Sequence, residues 1–159
     1  DSRKQNNIVI PVFIGIKPIV NQEKYAFQYC SSLESINILN SVTTIEQGAF
    51  YNCSSLTEIK ISDSVTSIGA YAFFGCTSLE SVTLGNGVIS IGQYSLWDCY
   101  SLTNIYFNGT MEQWNMIEKG ISWDANTGKY TIHCTNGDIQ KAKYSFKAAP
   151  QGAVLLCKK

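Results

Sequence analysis

Four cysteines, Cys30, Cys53, Cys76 and Cys99, are spaced 23 residues apart, and similar residues surround each of them. The copy that starts at Cys53 reads CSSLTEIKISDSVTSIGAYAFFG, and its neighbours read CSSLESINILNSVTTIEQGAFYN and CTSLESVTLGNGVISIGQYSLWD. Self-similarity at a fixed period of about 20–50 residues is typical of stacked repeat proteins. Such stacks present an extended surface, so the period predicts a solenoid whose function depends on that surface and not on a catalytic pocket.

Apolar residues recur at the same positions of successive copies. Two of these columns lie two residues apart, which is typical of a strand with one buried face. The second half of each copy changes to three- and four-residue steps, which predicts a short helical or 3₁₀ turn. The columns are Leu33, Leu56, Leu79 and Leu102; Ile36, Ile59, Val82 and Ile105; Ile38, Ile61, Leu84 and Phe107; Val42, Val65 and Val88; Ile45, Ile68 and Ile91; and the pairs Ala49–Phe50, Ala72–Phe73 and Ser95–Leu96.

Each copy is therefore predicted to form one strand and a compact return that leads into the next copy. Successive strands pair in parallel about 4.8 Å apart in such a stack. Gly69 and Gly92 occupy one position of the return, where we expect a tight bend or a positive φ angle. Glu46 stands at that position in the first copy. No single copy can bury its apolar face alone, so the copies are expected to share one core.

The segment from Leu56 to Cys76 resembles the BspA-type leucine-rich repeat, whose pattern L-x-x-I-x-I-x-x-x-V-x-x-I-G-x-x-A-F-x-x-C it matches throughout. The resemblance covers residues 19–123 in repeat form. It implies an α/β-type solenoid, a short right-handed leucine-rich repeat coil with parallel strands on one face and short helical or 3₁₀ returns on the other. Proteins of this family are mostly large surface or secreted proteins linked to adhesion, matrix-protein binding and cell–cell contact.

Residues 107–137 resemble the end unit that often closes such arrays, with G-T-x-x-Q-W, then W-D, then a strand that ends in H-C. Asn136 stands where that unit usually has Asp. The predicted regions are an N-terminal segment at 1–18, a repeat array at 19–107, a C-terminal capping unit with a helix and a hairpin at 108–146, and a tail at 147–159. The N-terminal segment could be a cap, a degenerate repeat or a truncated stump.

The capping unit carries local signals for its helix and hairpin. Thr110 and Gln113 have the spacing of a capping box, which predicts the start of a helix, and Gly120 is its expected end. Asn136-Gly137 predicts a hairpin turn between strands at 129–134 and 139–146. An apolar lid over the last coil is expected from Trp114, Ile117 and Trp123.

The repeat cysteines have two interpretations. Neighbouring positions in a solenoid lie within the Cα separation of a disulfide. The side chains of a ladder point in one direction, however, which favours buried, unreactive thiols that fill an internal column. No closely spaced ligand pair typical of zinc occurs, and we expect no metal or cofactor. Cys134 follows His133 directly, so the two face opposite sides of a strand, and Cys157 is expected to be exposed in the tail.

Composition excludes several classes of function. Twelve basic and twelve acidic residues cancel, so nothing favours binding to nucleic acid or anionic lipid. The longest apolar run, residues 8–16, is too short to span a bilayer. His133 is the only histidine, and no G-x-S-x-G, P-loop or G-x-G-x-x-G motif occurs, so we expect no enzyme activity. The chain begins at Asp1 without a signal peptide, and we expect a mature or trimmed fragment.

Two surfaces are candidates for binding. On the strand side the outward positions are small, polar and nearly uncharged, and the candidate residues are Glu58, Lys60, Thr83, Asn104 and Tyr106. A solvated sheet face is the alternative explanation. On the return side an aromatic column could pack between coils, which we favour, or form an exposed stripe. Its members are Tyr51, Phe74 and Trp97.

The resemblance implies an interaction module at the cell surface or secreted from the cell. Its partners would be proteins or glycans on host or neighbouring cells, bound through the repeat surface as adhesins bind them. The alternative is a structural spacer in a larger surface protein, with no ligand of its own.

Overall fold

The computed structural model describes residues 24–141 and the backbone of three short strands that precede them. The rest of the predicted N-terminal segment, residues 19–23 and 142–146, and the predicted tail with Cys157 lie outside the described residues. The elements are, in chain order, β1 (Asn7–Val9), β2 (Phe13–Ile14), β3 (Lys17–Pro18), β4 (Ser35–Ile38), β5 (Thr44–Ile45), β6 (Glu58–Ile61), β7 (Ser67–Ile68), β8 (Ser81–Leu84), β9 (Ser90–Ile91), β10 (Asn104–Phe107), α1 (Met111–Met116), β11 (Glu118–Lys119), β12 (Thr131–Cys134) and β13 (Gly137–Gln140).

The repeat strands form the centre of a seven-stranded sheet. β4, β6, β8 and β10 pair in parallel without any shift in register, so that equivalent residues of successive copies lie side by side. β1 adds to this sheet in parallel with β4, and β12 adds in parallel with β10. β13 closes the other end as an antiparallel partner of β12, while β2 and β3 form a separate antiparallel pair. The predicted parallel-strand solenoid is confirmed.

A second, smaller sheet runs along another side of the coils. β5, β7, β9 and β11 have two residues each and pair in parallel in the order β11-β9-β7-β5. In each of the repeat strands the isoleucine is buried, and the residue before it is half-buried. A strand of two residues is too short to show an alternating pattern, so the repeat columns do not reveal this sheet.

The returns are compact turns and do not form a continuous helix. Each contains i→i+3 backbone hydrogen bonds of the 3₁₀ type, such as those from Ala72 N–H to the Gly69 carbonyl and from Cys76 N–H to the Phe73 carbonyl. Between these turns, alternate N–H groups donate to the following coil, as Phe50 N–H does to the Ala72 carbonyl at 2.8 Å. Two residues in each return have positive φ angles, which interrupts helical geometry.

The apolar columns face one continuous core. Every predicted column residue is at most 5% exposed. Phe27, Phe50 and Phe73 form a stack inside it, with ring centroids 5.4 Å apart and planes 4° from parallel. Burying one aliphatic or aromatic side chain contributes about 1.5–3 kcal/mol. Because the columns extend through all the coils, this shared core is the main source of stability.

Gly69, Gly92 and Gly120 allow successive coils to approach closely. None of them has a positive φ angle. A Cβ atom on Gly69 would lie 2.6 Å from the backbone nitrogen of Gln47 and 2.7 Å from the carbonyl carbon of Glu46. Of the two expected alternatives, a tight bend or a positive φ angle, the positive φ angle does not occur at Gly69 and Gly92. The absence of a side chain is what the packing of the coils requires.

The helix α1 begins with a capping box. Thr110 Oγ1 accepts a hydrogen bond from Gln113 N–H at 3.3 Å, and Gln113 Oε1 accepts one from Thr110 N–H at 2.8 Å. Trp114 on this helix is buried and packs edge-on against Phe107, with ring centroids 5.5 Å apart. The ring centroids of Trp123 and Trp114 are 6.1 Å apart. These aromatic rings cover the coil that contains β10.

The end of α1 differs from its predicted position. The helix ends at Met116 and not at Gly120, because Ile117 has an extended conformation (φ −62°, ψ 125°) and the chain continues into β11. Lys119 donates to carbonyl groups at this end: its Nζ donates to Trp114 O at 2.8 Å and to Ile117 O at 2.9 Å. Trp114 O also accepts a hydrogen bond from Ile117 N–H at 3.2 Å. The ammonium group also lies 4.7 Å from the centre of the Trp114 ring.

The hairpin of β12 and β13 turns at Thr135 and Asn136, and Gly137 already belongs to β13. The side chain of Asn136 ties this turn to the start of α1. Its Oδ1 accepts from Met111 N–H at 2.8 Å, and its Nδ2 donates to Glu112 Oε2 at 3.0 Å. The capping helix and the capping hairpin are thereby joined directly.

Candidate interaction surfaces

The five residues predicted on the strand face lie in two neighbouring columns of the seven-stranded sheet. Glu58 and Asn104 belong to one column, and Lys60, Thr83 and Tyr106 occupy three consecutive strands of the other. Lys60 and Tyr106 are exposed, and the other three are half-buried. Because adjacent strands are about 4.8 Å apart, the second column offers a continuous row of side chains about 10 Å long.

Lys60 and Glu58 form a weak ion pair on this face. Lys60 Nζ lies 3.8 Å from Glu58 Oε1, and the side chains are 59% and 47% exposed. A pair so well solvated contributes little to stability, so both charges remain available to a partner. A shallow, open depression lies beside them; it is lined mainly by Asn37, Leu39, Lys60, Ser62, Thr83 and Asn108.

His133 extends the second column into the capping unit. Its ring stacks on Tyr106 with centroids 4.9 Å apart and planes 20° from parallel. His133 Nε2 lies 3.0 Å from Asn104 Oδ1, and Nδ1 lies 3.0 Å from Asp138 Oδ1. These contacts hold two of the predicted residues in place. The 23-residue period does not predict them, since His133 follows Tyr106 by 27 residues and only the register of β10 with β12 brings the two together.

On the return side, the predicted aromatic column forms a stack of nearly parallel rings. The centroids of Tyr51 and Phe74 are 4.9 Å apart with an interplanar angle of 4°, and those of Phe74 and Trp97 are 6.5 Å apart with an angle of 7°. All three side chains are half-buried. Each ring thus packs on the next coil and still reaches the surface.

A second aromatic column lies beside the first, and the columns predicted from the sequence do not include it. Tyr25, Tyr71 and Tyr94 share one position, with Gly48 in the remaining coil, and all four residues have φ angles between 56° and 63°. Their rings contact each other and the first column, for example Tyr71 and Tyr94 at 5.2 Å. The spacing of these tyrosines could have revealed the column, but their backbone conformation could not be read from it. We call the two columns together the aromatic ridge: Tyr25, Tyr51, Tyr71, Phe74, Tyr94 and Trp97.

The cysteine ladder faces the core. Cys53, Cys76 and Cys99 are fully buried, and Cys30 at the start of the ladder is half-buried. Each buried thiol donates to a carbonyl of the preceding coil, at 3.0 Å for Cys53, 3.2 Å for Cys76 and 3.3 Å for Cys99. Burial raises the pKa of Cys53 and Cys99 to about 12 and raises that of Cys76 as well. These thiols are therefore protonated at neutral pH and fill space in the core.

Three titratable groups of the capping unit, Asp124, Tyr130 and Lys141, contact one another. Asp124 is buried; its Oδ2 accepts a hydrogen bond from Tyr130 OH at 2.7 Å and lies 3.6 Å from Lys141 Nζ. Within residues 24–141 no three His, Cys, Asp or Glu side chains come together as a metal-binding group. In the same part of the chain, no helix has the length and apolar character needed to cross a membrane.

The family model that describes the BspA-type leucine-rich repeat region matches residues 21–149 in six copies. A comparison with curated proteins found no match.

Two solved bacterial structures are similar to this chain. A leucine-rich repeat protein from Eubacterium ventriosum is 27% identical with a TM-score of 0.65, and the match covers 82% of this chain and 33% of that one. A leucine rich cell surface protein from Faecalibacterium prausnitzii is 26% identical with a TM-score of 0.56, and the match covers 73% of this chain and 35% of that one. The chain thus matches about a third of the length of each.

Proposed function

Because the chain belongs to the BspA-type leucine-rich repeat family, we propose that it is a non-enzymatic interaction module that binds macromolecules through its repeat surface. The observation that carries this proposal is the unshifted register of the repeat strands, which turns single outward residues into continuous rows. Repeat proteins of this architecture use such extended surfaces for binding. No cofactor or metal takes part in the proposed activity.

The proposed binding surface is the strand face, with Glu58, Lys60, Thr83, Asn104 and Tyr106 as its candidate contacts. Its side chains are mostly polar and carry little net charge, which suits a protein or a glycan better than nucleic acid or an anionic membrane. Tyr106 is 44% exposed and is held from one side by His133. A large aromatic side chain with a fixed ring is a typical binding hot spot.

The proposed location is the cell surface or the extracellular medium, and the proposed partners are proteins or glycans on host or neighbouring cells. This location is supported by the family and by one structural neighbour, which is described as a cell surface protein. The activity of a whole protein of this kind can depend on regions beyond the third that the chain matches.

A pull-down against extracellular-matrix proteins, together with a glycan array, tests the proposal. The wild-type chain should bind at least one class of ligand, and the double variant Lys60→Ala/Tyr106→Ala should lose that binding. A matched control is Lys129→Ala/Tyr100→Ala, which removes the same two side-chain types from exposed positions outside the strand face. Absence of binding by the wild-type chain would favour the structural spacer.

A further inference from the structure

His133 lies between two oxygen atoms, one on each neighbouring strand of the sheet. Its Nδ1 lies 3.0 Å from Asp138 Oδ1 on β13, and its Nε2 lies 3.0 Å from Asn104 Oδ1 on β10. A neutral imidazole has one N–H donor and one acceptor nitrogen, whereas the protonated ring has two donors. The partners of the two nitrogens therefore determine the charge of the ring.

Asp138 fixes a proton on Nδ1. An ionised carboxylate accepts hydrogen bonds and cannot donate them, so this contact requires an Nδ1–H group. Asp138 lies directly opposite His133 in the register of the hairpin, which brings the two side chains to the same face of the sheet. Whether Nε2 also carries a proton depends on which end of its amide group Asn104 turns toward the ring.

A chain of hydrogen bonds fixes the orientation of the Asn104 amide. Asn104 Nδ2 donates to Thr103 Oγ1 at 2.9 Å, and Thr103 Oγ1 donates to the Glu80 carbonyl at 3.2 Å. A carbonyl group only accepts, so the hydroxyl proton of Thr103 points to Glu80 and its oxygen is left to accept from Asn104. The oxygen of Asn104 therefore faces His133, and Nε2 must donate as well.

The hydrogen bond from Thr103 to Glu80 belongs to the repeat and not to this cluster. Thr57 stands at the same position two coils earlier and donates to the Glu34 carbonyl at 3.0 Å, although no asparagine follows it. The direction of the chain is thus set independently of the ring. Both nitrogens of His133 donate, so the arrangement is that of the charged imidazolium form.

The charged ring also lies against Tyr106. The centroids are 4.9 Å apart, and a cation within about 6 Å of an aromatic ring centre is attracted to the face of that ring. Loss of the Nε2 proton weakens this attraction and leaves two acceptors, Nε2 and Asn104 Oδ1, facing each other at 3.0 Å. Asn104 must then turn away, or reverse its amide and give up its bond to Thr103.

The charge of this cluster depends on His133 between about pH 5 and 8, the range in which histidine side chains ordinarily titrate. Of the strands that pair with β12, β13 brings the Asp138 carboxylate to the ring and β10 brings the Tyr106 phenol. Cys134 is the next titratable group along β12. Burial, together with the charges of Asp138 and Glu112, raises the pKa of Cys134 above 9.0, so this thiol stays neutral in that range.

We propose that His133 is a positioning residue of the strand face: its charged form holds Asn104 and Tyr106 in place, and binding through this face strengthens as the pH falls. Asn104 and Tyr106 are both candidate contacts of that face. The effect on binding rests on the proposed function, whereas the charge of His133 and its hold on the two residues do not. The repeats contain no histidine, so the capping unit supplies this pH dependence.

NMR of the imidazole ring tests the protonation directly, because His133 is the only histidine of the chain. At about pH 5 both ring nitrogens should carry protons, and as the pH rises to about 8 the proton should leave Nε2 and stay on Nδ1, which faces Asp138. The side-chain amide of Asn104 and the ring of Tyr106 should shift with the same midpoint as His133. Signals of either residue that do not follow His133 would overturn the proposal, and so would a neutral ring protonated on Nε2.

The variant Asp138→Asn distinguishes positioning by the charged ring from simple packing. Its side-chain amide can donate to Nδ1, so a neutral ring can keep its Nε2–H on Asn104, and Asn104 should retain its low-pH signals at about pH 8. Asp63→Asn is the control: it removes a carboxylate charge from an exposed turn outside the cluster and should titrate as the wild type does. The same response of Asn104 in the wild type and in Asp138→Asn would overturn the proposal.

Binding is measured on the panel of matrix proteins and on the glycan array at about pH 5 and about pH 8. The wild type should bind about two- to fivefold more tightly at the lower pH, the factor that corresponds to a cation–π contact at an exposed site. His133→Gln should bind equally at both. Equal binding by the wild type at the two pH values would overturn the inference and leave the strand-face proposal intact. A wild type that binds nothing at either pH would contradict the strand-face proposal and overturn the pH-dependent binding with it, without altering the result of the NMR titration.

Discussion

Replacing Ser95 with alanine should stabilise the protein. Ser95 is fully buried in the third copy, at the position where the two earlier copies have Ala49 and Ala72, also fully buried. Its hydroxyl oxygen has no hydrogen-bond partner among the described residues. Alanine at the same position in two other coils indicates that the backbone of the return is compatible with the smaller side chain.

The expected gain in the free energy of unfolding follows from the burial of the Ser95 hydroxyl group. An unsatisfied buried hydroxyl costs about 1–3 kcal/mol. The substitution removes a single heavy atom, and the packing lost with it is worth less than the roughly 0.8 kcal/mol of a buried methylene. We therefore expect Ser95→Ala to raise the free energy of unfolding by about 1 kcal/mol. For a chain of this size, that gain raises Tm by about 2–4 °C.

Urea denaturation of the wild type and Ser95→Ala measures this difference as a shift in midpoint at constant slope. The reverse substitution, Ala72→Ser, should lower the free energy of unfolding by about 1–3 kcal/mol, because it buries a hydroxyl at the equivalent position. Ser101→Ala is the control for removing a serine hydroxyl: Ser101 is exposed and donates to Thr77 O at 2.8 Å, so a loss of about 0.5–1.5 kcal/mol, opposite in sign to the effect at Ser95, is expected. Equal or lower stability of Ser95→Ala would refute the reasoning.

Three further substitutions test the packing of the coils and of the cap. Gly69→Ala forces a Cβ atom against the Gln47 backbone and should cost more than about 2 kcal/mol in denaturation experiments, as overpacking does; unchanged stability would contradict the close approach of the coils. Burial raises the pKa of a repeat cysteine above the value of 9.0 that it has in the unfolded chain, to about 12 for Cys53. Between these two values the unfolded chain loses the thiol proton while the folded protein keeps it, so the free energy of unfolding falls as the pH rises. Below pH 9.0 the stabilisation by the neutral thiols is fully present. Cys76→Ala should therefore make the urea midpoint fall less steeply above pH 9.0, and an unaltered pH dependence would argue against a buried neutral thiol. Lys119→Met removes the hydrogen bonds to the end of α1 and should lower the free energy of unfolding by about 1–2 kcal/mol in thermal melts, whereas the exposed control Lys129→Met should change it little.

The core and the principal sheet could be predicted because each copy repeats the same physical constraint. Ile59 and Ile61 alternate with exposed or half-buried neighbours, which indicates a strand, and the repeat places equivalent residues side by side. A one-residue slip would expose the whole column, so register follows from the pattern. The capping box at Thr110 could also be predicted, because its two reciprocal hydrogen bonds join residues only three positions apart in the sequence.

Other features depend on contacts between coils, which a period alone does not describe. Gly69 is required by the backbone of the preceding coil. The sequence does not show this requirement, because Glu46 stands at the same position in the first copy. The left-handed conformation of Tyr71 and Tyr94 runs against the usual preference of aromatic residues, so propensity predicts the opposite. His133 reaches Tyr106 only because β12 pairs in register with β10 after an interval that differs from the repeat.

A binding isotherm for the strand face tests the central claim most directly. The wild-type chain and Lys60→Ala/Tyr106→Ala are titrated against a matrix protein or glycan retained in the pull-down, with circular dichroism to verify that both are folded. We expect saturable binding by the wild type and at least about a tenfold loss in the variant. Identical affinity of the two proteins, or no saturable binding by the folded wild type, would contradict the claim that this repeat surface is an interaction site.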